Sequence, residues 1–226
     1  MTRLNWTGTG KRFFETGIDR GVLYVGALAG VPWTGLTAVT HKPSGGETTP
    51  YYTEGVKYLN VAKSTDFEAT IEAFTYPDEF MACEGSSALN GLRFTLQPVV
   101  PFGLSYRTKV GNDTVGMDLG YKVHIIYNAL TKPADREFQT VADTTSVVNF
   151  SWDITTTAPA ISGKKPTAHL SISSKDTTTA RMASLENILY GTVSTAPRLP
   201  QPDELIALFT LSNVYDSATY DISTYG

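Results

Sequence analysis

The chain has 226 residues and a net charge of −4; charged residues make up only 18% of it and hydrophobic ones 41%. That is enough to bury a sizeable core without staples and too apolar for a disordered chain. The negative balance argues against a general nucleic-acid binder, which needs Lys and Arg to displace counterions from phosphate, and equally against a polybasic membrane surface.

Residues 1–20 mix Gly, Thr, Lys, Arg and aromatics without a clear period and read as an N-terminal arm; Trp6, Phe13 and Phe14 would dock on their own domain or on a neighbour. The segment has no apolar core and does not read as a signal peptide, and no run in the chain approaches a membrane span. Short strands are expected over 22–25 and 36–40. Residues 41–62 hold two prolines, Gly45–Gly46 and three tyrosines; a connection this long without a period is functional or mobile. Glu47 stands where a phosphate-binding Gly-Lys-Ser/Thr loop needs its lysine, which argues against nucleotide binding.

A strand is expected over 66–76, with Phe67, Ala69, Ile71 and Ala73 alternating with Glu68, Thr70, Glu72 and Phe74. A short helix follows from Pro77, with Asp78 and Glu79 at its positive end and Gly85 as its stop. From residue 64 to residue 92 there are six acidic residues and no Lys or Arg. Glu68 and Glu72 share a strand face with backbones about 13 Å apart, too far for a retaining glycosidase pair.

Residues 101–130 form the stretch around which the rest is organised: two strands joined by a long Gly-, Asn- and Asp-rich loop, KVGNDTVGMDLG. One face is expected to be apolar and buried, the other to carry Ser105, Arg107, Lys122 and His124 toward water. Further strands are expected over 147–154, with Val148, Phe150, Trp152 and Ile154 on one face, and over 166–172, with Ala168, Leu170 and Ile172 inward and His169 outward. Residues 178–190 make the best helix, its stripe Met182, Leu185, Ile188 and Leu189 ending at Gly191. A second short helix opens with Pro202, and residues 212–226 read as a C-terminal arm carrying Tyr215 and Tyr220.

No catalytic signature is present. His41, His124 and His169 have no ligand-like neighbours at helical spacing, so no zinc motif and no cofactor is expected. Arg107 replaces the glycine that a nucleophile elbow around Ser105 would need. The single cysteine, Cys83, permits neither an intrachain disulfide nor a cysteine metal cluster and reads as a small buried hydrophobe. The residues together give a mainly β, antiparallel domain with an amphipathic helix against its sheet.

FGLSYRT, GND and GYKVHIIYN, with FETGIDRGVLY, GVPWTGL, ATIEAFTYPDEFMACEG, KPTAH and SLENILYG, resemble the major tail tube protein of long-tailed bacteriophages, in order over most of the chain. The resemblance implies one tail-tube domain over 1–226, a β-sandwich or barrel with a flanking helix. It implies a structural virion protein assembled in the bacterial cytoplasm into hexameric rings, stacked as the tail tube through which double-stranded DNA passes. Implied partners are the protein itself, the tape measure protein, the tail terminator and the baseplate or tail-tip proteins. On that basis Glu68, Thr70, Glu72, Ser105, Lys122 and His124 are candidates for lining the lumen. Trp6, Phe13, Phe14, Tyr51, Tyr52, Tyr58, Tyr215 and Tyr220 are candidates for contacts between rings, with 41–62 as an inter-ring loop. The rival readings are a carbohydrate-binding β-sandwich, stacking Trp6, Trp33 or the loop tyrosines on sugars, and a tail terminator or capsid decoration protein.

Overall fold

In the computed structural model, residues 6–26, 28–132 and 147–210 are described. The chain runs β1 (Phe13–Val25), β2 (Val31–Pro32), β3 (Leu36–His41), β4 (Ser44–Gly45), β5 (Thr48–Thr53), β6 (Val56–Ala62), β7 (Thr65–Asp66), β8 (Glu68–Ala73), α1 (Phe80–Cys83), β9 (Ser87–Leu89), β10 (Leu92–Phe94), β11 (Phe102–Asn112), β12 (Gly116–Thr131), β13 (Phe150–Thr156), β14 (His169–Ser173), α2 (Thr179–Tyr190) and α3 (Pro202–Thr210). The fold is mainly β and antiparallel, as expected. The main sheet has the order β2-β1-β11-β12-β13-β8-β3, and β14 joins it on β12.

β12 is the branch point. Its Lys122–Ile126 stretch pairs with β14, and its Ala129–Thr131 stretch pairs with β13. Beyond that fork β13, β8 and β3 curl over the sheet, so Leu23 and Val25 of β1 share one core with Ala69, Ile71 and Ala73 of β8 and Trp152 and Ile154 of β13. α1 plugs this interior: Phe80 lies with its ring centroid 4.6 Å from Trp33 and 5.0 Å from Trp152. A second core lies on the other side of β1, β11 and β12, where Val22, Tyr24, Val123, Ile125 and Tyr127 meet Met182, Leu185 and Leu189 of α2 and Leu205 of α3. Thr178 caps α2 by accepting a hydrogen bond from the Arg181 amide.

The β11–β12 pair differs from the sequence expectation in two ways. The turn is three residues long, 113–115, held by Asn112 Oδ1 accepting from the amides of Thr114 (3.1 Å) and Val115 (2.8 Å). The glycines beside it serve two ends: a Cβ on Gly111 would lie 2.3 Å from the Gly116 carbonyl oxygen and 2.5 Å from the Phe14 ring, while Gly116 leaves the turn at a φ of 70°. Ser105 and His124 also lie on opposite faces. The register pairs Ser105 with Ile125 and Tyr106 with His124. Ser105 and Arg107 therefore share the α2 side with Val123 and Ile125, while Lys122 and His124 point to the other side with Tyr106 and Thr108.

The segments read as irregular are also more ordered than expected. Residues 13–20, assigned to an arm, are the first half of β1, paired along β11 from Phe13↔Asn112 to Asp19↔Arg107. Residues 41–62 are not a loop. They fold into the β5–β6 ribbon, which turns through Glu54 and Gly55, both at positive φ, and is closed at its base by β4–β7. A second hairpin, β9–β10, turns through Asn90 and Gly91 at φ 48° and 86°.

Candidate assembly surfaces

The β5–β6 ribbon is exposed along its whole length. Tyr51, Tyr52, Val56, Tyr58, Leu59 and Val61 all present apolar surface to solvent. Tyr58 and Leu59 are consecutive on one strand and so point to opposite faces, which leaves neither face of the ribbon covered. β9–β10 repeats the pattern on a smaller scale with Leu89, Leu92 and Phe94 exposed, followed by Leu96. Apolar groups gathered on protruding ribbons mark a contact surface, since scattered single ones would need no explanation.

The sheet also offers open edges. β2 reaches only Val22 and Leu23, so among the described residues the Phe13–Arg20 half of β1 pairs on its β11 side alone. Among the described residues β14 pairs only with β12, and β3, at the far end of the strand path, only with β8. An uncovered edge carries a row of unpaired N–H and C=O groups that another chain can complete. Trp6, Phe13 and Phe14 are exposed at the start of this half, and Lys175 holds its ammonium 3.6 Å from the Phe13 ring centroid. Of the candidate contact residues, Tyr51, Tyr52 and Tyr58 come together on the ribbon and Phe13 and Phe14 on the β1 edge, while Tyr215 and Tyr220, with residues 212–226, lie outside the described residues.

The six lumen candidates do not share a surface. Ser105 is 0% exposed; its hydroxyl pairs with Tyr24 Oη at 3.2 Å, and that phenol donates to the Leu189 carbonyl at 2.8 Å. It is packed beneath α2 and presents nothing to a channel. Glu68, Thr70 and Glu72 lie on the outward face of β8, and Lys122 and His124 on β12. The outward face of β8 is also less acidic than its sequence. Lys132 bonds Glu68 at 2.6 Å and Lys42 bonds Asp153 at 3.1 Å, while Thr70 donates to Asp153 and Asn149 to Glu72. Both carboxyls with lysine partners are held below their ordinary range, chiefly by those hydrogen bonds. Trp33, a candidate for stacking on sugars, is 3% exposed and donates its indole N–H to the Thr75 carbonyl at 2.8 Å.

Where β12 forks, three histidines meet. One ring nitrogen from each of His41, His124 and His169 falls within a set whose members are all within 4.8 Å of one another. His41 ends β3, His124 is buried on β12 and His169 opens β14. Burial pushes all three imidazoles down, His169 to about 4. Cys83 sits in the core, its thiol pushed up to about 12 by burial, as expected of a small hydrophobe.

No family model matches the sequence, and no curated protein matches it. Among solved structures the chain is similar to a chain of the sheath–tube complex of an extracellular contractile injection system in its extended state, seen by cryo-electron microscopy: 14% identity over 68% of this chain and 88% of that one, TM-score 0.40. It is also similar to a chain of the sheath/tube terminator of such a system, at 12% identity over 75% of this chain and 99% of the other, TM-score 0.37. Both likenesses are distant.

Sequence reasoning places His124 and His169 on strands that could approach each other, but it missed the β9–β10 surface and the arrival of His41 beside that pair. The Asn90–Gly91 pair is a direct hairpin signal that marks β9–β10. The histidines are 83 and 45 residues apart and converge only through the register of β12 with β14 and the curl of β3.

Proposed function

We propose that this chain is a tail-tube subunit: a structural protein that closes into rings and stacks them into a tube. The observation that carries the reading is the β5–β6 ribbon, a two-stranded projection of 15 residues from Thr48 to Ala62 with apolar side chains exposed on both faces and no covering partner among the described residues. An isolated two-stranded hairpin is marginal in water, so a partner surface is what would give it a fixed position. The β1 and β14 edges support the same reading. They differ from one another, so contact between the β1 edge of one copy and the β14 edge of the next is head-to-tail, which generates rings or helices. The segment resemblance to phage tail tube proteins supplies the finer form: hexameric rings in a virion tail, the tape measure protein within, terminator and tail-tip proteins at the ends, and DNA in transit. Glu68 and Glu72 remain the lumen candidates of this proposal, with Lys42 and Lys132 bringing that face toward neutrality.

Replacing residues 48–62 by a short glycine-rich turn tests it, because Glu47 and Lys63 already meet through the Lys63 amide and the Glu47 carbonyl at 3.0 Å. The full chain, concentrated and viewed by negative-stain electron microscopy, is expected to form striated hollow tubes. The shortened chain is expected to keep its thermal transition and make none. Tubes of unchanged length from the shortened chain would refute the ribbon's role, and single rings from the full chain would favour a terminator.

A further inference from the structure

We propose that His41, His124 and His169 form a binding site for one divalent transition-metal ion of the zinc class, tying β3, β12 and β14 together at the fork of the sheet. The geometry is already close to that of a bound ion. Metal–imidazole bonds of about 2.0–2.1 Å in a tetrahedral shell place two ligating nitrogens about 3.3–3.4 Å apart. His124 Nδ1 and His169 Nε2 are 3.2 Å apart. The His41 nitrogen lies within the same 4.8 Å set, and because His41 is the exposed member at a strand end, a modest ring rotation brings it in.

The surroundings fix the rings of His124 and His169. Tyr106 stacks on His124 with centroids 4.8 Å apart and planes 7° from parallel, and Phe67 stacks on His169 at 4.9 Å and 8°. Tyr106 also meets His41 Nε2 through its hydroxyl at 2.5 Å. The far nitrogen of His124 is placed as a metal-ligating histidine requires: Nε2 is 3.0 Å from Thr108 Oγ1 and 3.3 Å from Glu15 Oε1. An Nε2–H donating there leaves the Nδ1 lone pair facing His169. Glu15 is itself anchored by Lys122 at 2.5 Å, completing a lysine–carboxylate–histidine relay behind the ligand. A carboxylate behind a ligating histidine fixes its tautomer and raises its basicity.

The donor set selects the ion. Three imidazoles with no thiolate or carboxylate among them suit zinc, copper, nickel or cobalt and offer little to calcium or magnesium, which take oxygen ligands. The fourth position falls to water. Binding needs no net proton release: His169 moves its proton from Nε2 to Nδ1 and gives the freed lone pair to the metal. The site is independent of ring formation, since every ligand comes from one subunit.

The test is titration of the full chain, carrying no polyhistidine tag and freed of metal by chelation, with cobalt(II). The expected result is saturation at one equivalent with intense visible bands of a four-coordinate ion, displacement by zinc, and a higher melting temperature with zinc than with chelator. His169→Gln and His41→Gln are each expected to abolish saturation. His41→Gln alters only an exposed side chain, so it decides the matter even if His169→Gln fails to fold. Glu15→Gln is expected to weaken binding about 10–100-fold while keeping the stoichiometry. Absence of saturable binding, or one-equivalent binding unchanged in His41→Gln, would overturn the proposal.

Discussion

Shortening Leu185 to alanine measures how α2 is held on the sheet. The side chain is wholly buried against the β1–β11–β12 surface, in one cluster with Val22, Val123 and Ile125. Removing three carbons forfeits roughly 2–2.5 kcal/mol of transfer free energy at about 0.8 kcal/mol per methylene. If roughly 40–80 Å³ of the vacated volume stays empty, the cavity adds about 1–2 kcal/mol at ~24 cal/mol per Å³. The expected loss is therefore about 3–4 kcal/mol. Ile188, one turn on and only half buried, supplies the control: Ile188→Ala should cost about 0.5–1 kcal/mol, because less surface is lost and alanine is the better helix former. Urea unfolding followed by circular dichroism reads both. With a slope of about 2 kcal/mol per molar, Leu185→Ala should lower the midpoint by roughly 1.5–2 M and Ile188→Ala by less than about 0.5 M. Equal losses from the two substitutions would show that α2 does not seat on this face.

Trp33→Phe removes the indole donor to the Thr75 carbonyl and thins the packing around Phe80; a loss of about 2–4 kcal/mol is expected, read as a lower melting temperature, and an unchanged transition would contradict the buried placement. Arg107 grips Asp19 at 2.7 and 2.8 Å and, chiefly through that hydrogen bond, holds its carboxyl below the ordinary range against the opposing effect of burial. A lowered carboxyl stabilises the fold above the unfolded value near pH ~4, and the contribution is lost as the pH falls through the lower folded value. The stability gap between the native chain and Asp19→Asn should therefore narrow on acidification from about pH 6 to about pH 2; a constant gap would sink the assignment.

What could be read from the residues depends on how many faces a strand buries. β8 was legible because Ala69, Ile71 and Ala73 go inward while Glu68 and Glu72 stay in water, so polarity itself reports the face. β11 and β12 were half legible. Their period of two is plain, but Ser105 lies under α2 while Phe102 and Leu104 fill the opposite core, and no residue type states which register joins the two strands. The β5–β6 ribbon buries neither face against the described residues, so it carries no alternation and looked like a loop. Helices α2 and α3 were legible through the Met182–Leu189 stripe and through Gly191 and Pro202, whose local roles at helix ends do not depend on partners.

The arrangement around α2 has a consequence for synthesis. Tyr127 of β12 precedes Leu189, the last α2 residue of the core that covers it, by about 60 residues, and translation at about 5–20 residues per second makes that several seconds. Through that interval β11 and β12, which close as a hairpin in about 1–10 μs, can already be paired while Val123, Ile125 and Tyr127 are bare. β1 is ready to zip onto β11 at the same time, which widens the uncovered sheet. In the cell, the nascent chain's hazard is concentrated between the completion of β12 and the arrival of α2. A pause in that window lengthens the exposure, and a holdase that binds extended apolar strands shortens its effect.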